Sequence, residues 1–399
     1  MSTSGGVSQR EGPVATAEPA LVAIRPPRRG LPKPDRPNLR GLDRHELVAW
    51  LGEHLPGPRF RATQIFEWLH RHRAASFDAM TNIGRTDRAR LGERATVQTL
   101  VVDTVQQAAD GTRKLRLRTP DGHAIESVLI PNDGRGLTQC ISSMVGCSLT
   151  CRFCATATLG FERNLATWEI VDQVYRAQDL LATQAQQVGA SWVPRITNLV
   201  FMGMGEPLHN YAQVRRALAI LTDARGAALA GRRITISTAG LVPAIERFGR
   251  EGLGHEVGLA ISLNASTDEV RDRVMPINTR WNIARLLSAV RTIPSPRRRR
   301  VTFEYVLLDG VNDTPADARR LGTLLGELGG HLNVIPFNPH PGAPFARPAA
   351  SRVDAFVRQC RRAGLEVHVR TPRGDDIAAA CGQLALEGQA STPTPRERP

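Results

Sequence analysis

The sequence lacks the segments that would carry it into or across a membrane. No stretch of its 399 residues approaches the run of about 18 apolar residues that a membrane-spanning helix needs. The first residues, MSTSGGVSQREGPVATAEP, also lack the positively charged and then apolar order of a signal peptide. We therefore expect a cytoplasmic protein without a membrane partner.

Cysteine is scarce and unevenly placed. The six cysteines are Cys140, Cys147, Cys151, Cys154, Cys360 and Cys381. In a reducing cytosol, such clustering favours metal or redox chemistry over structural disulfides. Cys360 fits an apolar helix face with Val353, Phe356 and Val357, so we expect it in the core.

Acidic residues are too few to balance the basic ones. Lys and Arg number 52 against 38 Asp and Glu, which gives a net charge of +14. This excess favours RNA or DNA as a partner, and an anionic membrane less strongly. No aromatic RNA-binding motif appears. Arginines that could neutralise phosphates, or simply form a solvated face, occur in RHRA (71–74), RTDRAR (85–90) and RRRR (297–300) and at Arg370 and Arg373.

Composition and periodicity divide the chain into five parts. Residues 1–38 and 386–399 are rich in Pro, Arg, Gly and Ser and are expected to be disordered. Residues 39–97 have helical spacing of Leu, Ile and Trp, which predicts a small helical module. Residues 98–131 alternate like strands around the turn AADGT, which predicts a short β extension.

Residues 132–385 alternate between strand and helix patterns. Strands are predicted near QCISSMV, ITNLVFMG, RITISTAG, EVGLAISLNA, RVTFEYVLL and HLNVIPFNP. In the first helix Thr167 is a plausible N-cap, and Ile170, Val174 and Leu181 share one face. The pattern predicts an α/β fold, a partial (β/α)6 barrel, with its chemistry at the carboxyl ends of the strands.

The segment GCSLTCRFC places Cys147, Cys151 and Cys154 in a C-x-x-x-C-x-x-C pattern. Three thiolates at this spacing can hold three irons of a [4Fe-4S] cluster and leave the fourth iron open to a ligand. The alternative is a structural zinc site, which needs four ligands, and no nearby His or Cys completes that set.

This pattern, with an aromatic residue before the last Cys, resembles the radical S-adenosylmethionine (SAM) enzymes. The wider set of motifs resembles the RlmN/Cfr family of RNA methyltransferases from about Asn38 to Leu384. These motifs are QCISSMVGCSLTCRFCATATLGFERNL, GMGEP, ISTAGLVP, SLNAS, IPFNPHPG and RGDDIAAACGQL. The resemblance implies a radical-SAM partial barrel that binds a [4Fe-4S] cluster and SAM, two molecules of SAM per turnover.

The same resemblance implies catalytic residues. Cys381 would carry a methyl group as S-methylcysteine, Cys140 would resolve the adduct through a transient disulfide with Cys381, and Glu126 would accept a proton. Without the family, Cys140 would be taken as a buried strand thiol and Glu126 as a solvated carboxylate. Asp375 and Asp376 precede the Cys381 segment, and we expect them to cap a short helix there; the alternative is that they set the geometry of the Cys381 loop.

The family also implies the SAM contacts. Glu206 would receive the ammonium group of SAM, and Gly205 would lend its backbone, although GMGEP alone could be an ordinary glycine turn. Two positions depart from the family pattern: Asn264 stands where the family usually has His, and Ala157 stands where it usually has Gly. The expected cofactor-binding residues are Gly205, Glu206, Ser237, Ser262, Leu263, Asn264 and Asn338.

The predicted activity is methylation of carbon 2 of an adenine in 23S rRNA at the peptidyl transferase centre, and in tRNA next to the anticodon. Two alternatives are methylation at carbon 8, as in the Cfr branch, and a zinc-stabilised RNA-binding protein without catalysis. By resemblance the helical module helps to bind RNA. A low-potential electron donor such as flavodoxin or ferredoxin is expected, and the chain is expected to be a monomer.

Overall fold

The computed structural model describes residues 24–30, 35–132, 134, 136–294, 301–329 and 331–386. The predictions for the two tails lie largely outside these residues, and the RRRR run at 297–300 lies wholly outside them. None of the described helices is both long and apolar enough to cross a membrane.

The N-terminal region forms the predicted helical module. Its helices are α1 (Arg44–His54), α2 (Phe60–His70) and α3 (Arg85–Arg94). Helix α1 begins with a capping box, in which Asp43 accepts from the Glu46 N–H and Glu46 accepts from the Asp43 N–H. Leu47, Phe66 and Leu91 are buried in a core that belongs to this module.

The β extension and the barrel share one continuous sheet. The extension consists of β1 (Val101–Gln107), β2 (Arg113–Arg118) and β3 (Ala124–Pro131). The following strands of the large sheet are β4 (Gly136–Cys140), β7 (Arg195–Phe201), β8 (Ile234–Thr238), β9 (Gly258–Ser262), β10 (Thr302–Leu307), β11 (His331–Pro336) and β12 (Glu366–Val369). A separate antiparallel pair is formed by β5 (Met144–Gly146) and β6 (Phe161–Asn164).

The strand order is β1-β2-β3-β4-β7-β8-β9-β10-β11-β12. Strands β1 to β4 pair antiparallel, whereas the pairs from β4 to β12 are parallel. The predicted α/β partial barrel is therefore confirmed, and the short β12 extends it beyond the six predicted strands. The predicted strand QCISSMV is interrupted, because β4 ends at Cys140 and β5 begins at Met144.

Helices separate the parallel strands in sequence, as predicted. They are α4 (Thr167–Gln187), α5 (Tyr211–Thr222), α6 (Val242–Arg250), α7 (Asp268–Val274), α8 (Ile283–Arg291), α9 (Pro315–Leu325) and α10 (Ala350–Arg362). The predicted core positions Ile170, Val174 and Leu181 of α4 are buried, as is Cys360 of α10.

The predicted N-cap at Thr167 is wrong. Helix α4 has Ala166 at its N-cap position, and the Ala166 N–H donates to Glu169 at 2.8 Å. The Thr167 hydroxyl instead donates to Gln213 of α5 at 2.7 Å. The Thr167 hydroxyl, which the sequence pattern assigned to capping α4, thus links α4 to α5 instead.

A buried ion pair fastens the helical module to the barrel. The fully buried Arg40 pairs with Asp172 of α4 and also donates to the Ala74 carbonyl at 2.7 Å. Asp172 in turn accepts from the Leu100 N–H, at the start of the β extension, at 2.6 Å. Removing one partner of such a pair leaves a buried charge, at a cost of about 3–5 kcal/mol. The module is thus held firmly against α4.

Candidate active site

One cavity lies at the carboxyl ends of the parallel strands, where the barrel fold predicts the chemistry. Every cysteine that was predicted to hold the cluster or to carry the methyl group lines this cavity. The predicted site residues that line it are Cys140, Cys147, Cys151, Cys154, Gly205, Glu206, Ser237, Ser262, Asn264 and Cys381. The structure therefore brings together residues that are separated by up to 241 positions in the sequence (381 minus 140).

The cysteine loop begins at a glycine that no other residue can replace without movement. Gly146 has φ +74°, and a Cβ built there would lie 2.1 Å from the Gly160 carbonyl oxygen. The Cys147 N–H donates to that same oxygen at 2.7 Å. The glycine thus allows the two backbones to approach so closely that Cys147 is held at the cavity.

The arrangement of the three loop thiols fits an iron-sulfur cluster better than one zinc ion. Among the described residues, three ligand atoms of His, Cys, Asp or Glu lie within 4.8 Å of one another only at His331, Glu366 and His368. At least one pair of the loop thiols is therefore farther apart than 4.8 Å. A zinc ion with sulfur ligands at about 2.3 Å would hold them about 3.8 Å apart.

Burial raises the pKa of all three loop thiols, and for Cys147 it does so to about 12. The negative charge of Cys154 contributes to this rise at Cys147, and the charges of Cys147 and Cys154 contribute to it at Cys151. Three thiolates are thus stable here only beside positive charge, which an iron-sulfur centre supplies.

Glu206 is buried at the end of β7, and its carboxylate is held by backbone groups. Its oxygens accept from the Ala239 N–H at 2.8 Å and from the Leu208 N–H at 3.1 Å. Burial raises its pKa to about 7, and these hydrogen bonds only partly oppose that rise. The preceding Gly205 has φ +100°, and a Cβ there would lie 2.6 Å from the Met144 side chain. The glycine therefore lets the chain turn Glu206 into the cavity.

The polar residues at the ends of β8 and β9 are not equivalent. Ser237 and Ser262 line the cavity. Leu263 is fully buried in the main apolar core, and its carbonyl accepts from Arg271 at 2.9 Å. Leu263 can therefore offer only backbone groups, and no polar side chain, at the end of β9.

Asn264 lines the cavity, but its side chain is already engaged. Its Oδ1 accepts from the Val306 N–H at 2.7 Å, and its Nδ2 lies 3.1 Å from the Met275 sulfur. Its φ is +57°, a left-handed conformation that asparagine tolerates better than most residues. At this position, where the family usually has His, asparagine therefore shapes the bend after β9.

Cys140 and Cys381 lie close enough to influence each other. Burial and then the negative charge of Cys381 raise the pKa of Cys140 to about 12. Cys381 is exposed by surface area, but the space it faces is the cavity. Loss of water around its thiol, and then the charge of Glu304, raise its pKa to about 11. Arg370 opposes the rise at both thiols.

The loop that carries Cys381 is held by side chains from several elements. Asn338 donates to the Cys381 carbonyl at 3.1 Å, and the Ala155 N–H donates to the Gly382 carbonyl at 2.7 Å. Gln383 donates to Asp375 at 3.0 Å and to the Pro339 carbonyl at 2.9 Å. Asn338 also lines an adjoining cavity that contains Cys381. Its side chain thus supports the Cys381 backbone.

Capping by Asp375 and Asp376 is wrong. The short 3-10 helix Asp375–Ile377 has Gly374 at its N-cap position and no capping side chain. Asp375 accepts from Gln383, and Asp376 accepts from the Ala109 N–H at 3.0 Å. The alternative expectation, that these carboxylates set the geometry of the Cys381 loop, agrees with these contacts.

Glu126 is buried on β3, one strand away from Cys140. It is not part of the cavity wall, but Val128, two residues further on the same face, is paired with Cys140 and lines the cavity. One carboxylate oxygen of Glu126 lies 3.5 Å from the Lys114 ammonium. The other accepts from the Leu386 N–H at 3.3 Å.

Three further charged residues belong to the site. Glu304 and Lys114 were not predicted at all, and Arg370 was predicted only as a phosphate contact. Glu304 and Arg370 line the cavity and form an ion pair at 3.3 Å. Arg370 could therefore contact an RNA phosphate only in competition with its ion pair to Glu304. Lys114 is buried beside Glu126. These partners lie far apart in the sequence, so no local pattern signals them.

Comparisons with known proteins agree with this site. The family model of the radical SAM superfamily matches residues 141–321 of the sequence. The family model of the ribosomal RNA large subunit methyltransferase N-terminal domain matches residues 37–97. A dual-specificity RNA methyltransferase RlmN from Anaeromyxobacter dehalogenans is 47% identical over 91% of this chain and 95% of its own. The RlmN of Cereibacter sphaeroides strain ATCC 17029 is 46% identical over 89% and 91%.

A solved structure extends the similarity to three dimensions. The radical SAM methyltransferase from Sphaerobacter thermophilus matches with a TM-score of 0.78 and 43% identity, over 87% of this chain and 99% of its own. Membership in this superfamily implies a [4Fe-4S] cluster and SAM as cofactors. The chain belongs to the RlmN/Cfr family of radical SAM RNA methyltransferases and is most similar to its RlmN branch.

Proposed function

We propose that the chain methylates carbon 2 of an adenine in 23S rRNA, at the peptidyl transferase centre, and of an adenine next to the anticodon in tRNA. The observation that carries the proposal is that Cys140 and Cys381 line the same cavity as the cysteine triad. The relatives' name, dual-specificity RNA methyltransferase, supports the choice of two RNA substrates.

The target atom dictates the need for extra thiols. Carbon 2 of adenine is an amidine carbon and is electrophilic, so it is a poor nucleophile toward the methyl group of SAM. In this proposal the Cys381 thiolate attacks that methyl carbon first, the sulfonium leaves as a neutral thioether, and Cys381 becomes S-methylcysteine. Arg370 assists because its charge favours the thiolate of Cys381. This step consumes the first of two SAM molecules.

The cavity wall supplies the binding groups for the second SAM and the cluster. Cys147, Cys151 and Cys154 would hold the [4Fe-4S] cluster, and Glu206 would accept the ammonium group of SAM. When bound and reduced by a donor such as flavodoxin or ferredoxin, the cluster would supply the electron for reductive cleavage of SAM, and the S-methyl group of Cys381 would give up one hydrogen atom to the radical so formed. The other predicted contacts, Gly205, Ser237, Ser262, Leu263 and Asn264, would position SAM, whereas Asn338 would support the Cys381 loop.

Cys140 and Glu126 would release the product. After the methylene radical on Cys381 has added to the ring, Glu126 would take the proton from the ring carbon, and the unpaired electron of the adduct would leave to a one-electron acceptor such as the oxidised cluster. The Cys140 thiolate attacks the sulfur of Cys381, so that a disulfide forms and the sulfur-carbon bond breaks. The electron pair of that bond goes to the methylene carbon, which takes up a proton to become the methyl group. The adenine must leave its stack to reach these residues.

Nucleoside mass spectrometry of rRNA and tRNA tests the proposal. Cells that lack the gene should lose 2-methyladenosine, and the wild-type gene should restore it, whereas a Cys381→Ser variant should not. Restoration of 8-methyladenosine in place of 2-methyladenosine would favour the carbon-8 alternative. Zinc without iron in anaerobically purified protein, with unchanged nucleosides, would favour a zinc-stabilised RNA-binding protein.

A further inference from the structure

The hairpin of the β extension contacts the loop that carries Cys381. At its turn, the Ala109 N–H donates to Asp376 at 3.0 Å, and Asp110 accepts from the Gly374 N–H at 3.1 Å. Gly374 has φ +64°, and a Cβ built there would lie 2.8 Å from the Thr112 side chain. The hairpin and this loop are therefore packed without space between them, although 264 residues separate them in sequence.

Lys114, on β2 of this hairpin, links two parts of the proposed chemistry. Its ammonium lies 3.5 Å from one carboxylate oxygen of Glu126 and donates to the Ala378 carbonyl, three residues before Cys381, at 3.3 Å. Both charged side chains are 3% exposed. The second oxygen of Glu126 accepts from the Leu386 N–H at 3.3 Å, on the other side of the same loop.

The burial of this lysine argues for a specific role. A charged ammonium away from water is costly unless it is paired with an anion and hydrogen-bonded. The neighbouring Arg118 on the same strand is instead partly exposed and pairs with Asp103 at 2.9 Å. Alternate residues of a strand point to the same side, so the two cations share a face of β2 but have different partners.

We propose that Lys114 is a positioning residue that orients the Glu126 carboxylate toward the adduct and couples it to the Cys381 loop. The inference rests on the proposed function, in which Glu126 accepts the ring proton. In that step the C–H bond of the ring carbon breaks, its electron pair stays in the ring, and the proton goes to Glu126. The contact with Lys114 on one carboxylate oxygen and the Leu386 N–H on the other fix the orientation of Glu126 between the hairpin and the Cys381 loop.

Lys114→Met tests the proposal, because it removes the charge and keeps much of the side chain's length. We expect normal iron content and normal methylation of Cys381, measured on its peptide by mass spectrometry. We expect methylated RNA to form roughly tenfold to a hundredfold more slowly, a part of what general base catalysis contributes. Covalent protein-RNA adduct should accumulate, and Lys114→Arg should recover part of the rate. Arg118→Met, which removes a cation from the same face, should behave as wild type.

The outcomes separate this inference from the proposed function. Glu126→Gln should trap the same adduct. If it does and Lys114→Met turns over like Arg118→Met, the role of Lys114 is overturned alone. If Glu126→Gln turns over normally, the assignment of the base fails, and the role of Lys114 fails with it. Should Lys114→Met fail to fold, Lys114→Gln, which can still donate to Ala378, replaces it. Adduct in that variant supports the inference, and wild-type turnover overturns it.

Discussion

The cysteine loop after β5 and the loop that carries Cys381 differ in how they are built. In the cysteine loop, the spacing of three cysteines and the glycine before them determine the local structure, so that the function is visible in nine letters of sequence. The Cys381 loop is held by Asn338, Lys114 and Ala155, which come from three distant segments. The first loop supplies ligands, and the second depends on the assembled fold to place one reactive thiol.

The largest expected effect concerns the cysteine loop. Cys151→Ala removes one of three cluster ligands, so we expect loss of iron and no detectable RNA methylation. Iron analysis and nucleoside mass spectrometry measure the two results. A Cys360→Ala variant is the matched control, because that buried thiol lies on α10 outside the cavity. Full iron content in Cys151→Ala would mean that the cysteine loop does not supply the cluster ligands.

The next effect concerns the thiols outside the cysteine loop. Cys140→Ala should keep its iron and its methylated Cys381 but should lose turnover, because nothing resolves the adduct. Denaturing gels and mass spectrometry should reveal RNA attached to protein through Cys381. Free protein with normal turnover would remove Cys140 from the resolving role.

These two variants also mark what the sequence could predict. Local patterns predicted the helical module, the β extension and the alternating strands, because burial of an apolar face imposes a period on the sequence. They missed β12, since Glu366–Val369 is only four residues long and its pattern includes exposed positions. They misplaced the caps at Thr167 and Asp375, because Gln213 and Gln383 take those side chains.

The site followed the same rule. The family motifs identified residues that the structure gathers in one cavity, but not the contacts between them. Nothing in the sequence around Lys114 or Glu304 indicates that they meet Glu126 and Arg370. Such ion pairs arise only when distant strands and loops pack together.

A third prediction concerns Glu206, whose carboxylate accepts one hydrogen bond from the nearby Leu208 N–H and one from the distant Ala239 N–H. Burial raises its pKa to about 7, so it is mostly ionised at pH 7.5 and mostly protonated at pH 6. Its attraction for the ammonium of SAM should weaken as pH falls, and the Kd of SAM should rise roughly five- to tenfold between these values. Equilibrium binding at both pH values measures this. Glu206→Gln should bind more weakly and with little dependence on pH; an unchanged pH dependence would contradict the role.

The smallest expected effect concerns a single support of the Cys381 loop. Asn338→Ala removes the hydrogen bond to the Cys381 carbonyl, which is worth about 0.5–1.5 kcal/mol, so kcat should fall about two- to tenfold. Asn198→Ala on β7, whose amide donates to Thr138, is the control. A raised KM for SAM with unchanged kcat would place Asn338 in cofactor binding instead of loop support.

The most direct test of the central claim follows the hydrogens of the transferred methyl group. RNA should be modified with SAM that carries a fully deuterated methyl group, and the methyladenosine should be analysed by mass spectrometry. If Cys381 carries the methyl and loses one of its hydrogens to a radical, the product will contain two deuterium atoms and one hydrogen. A product that keeps all three deuterium atoms would mean direct methyl transfer and would contradict the account.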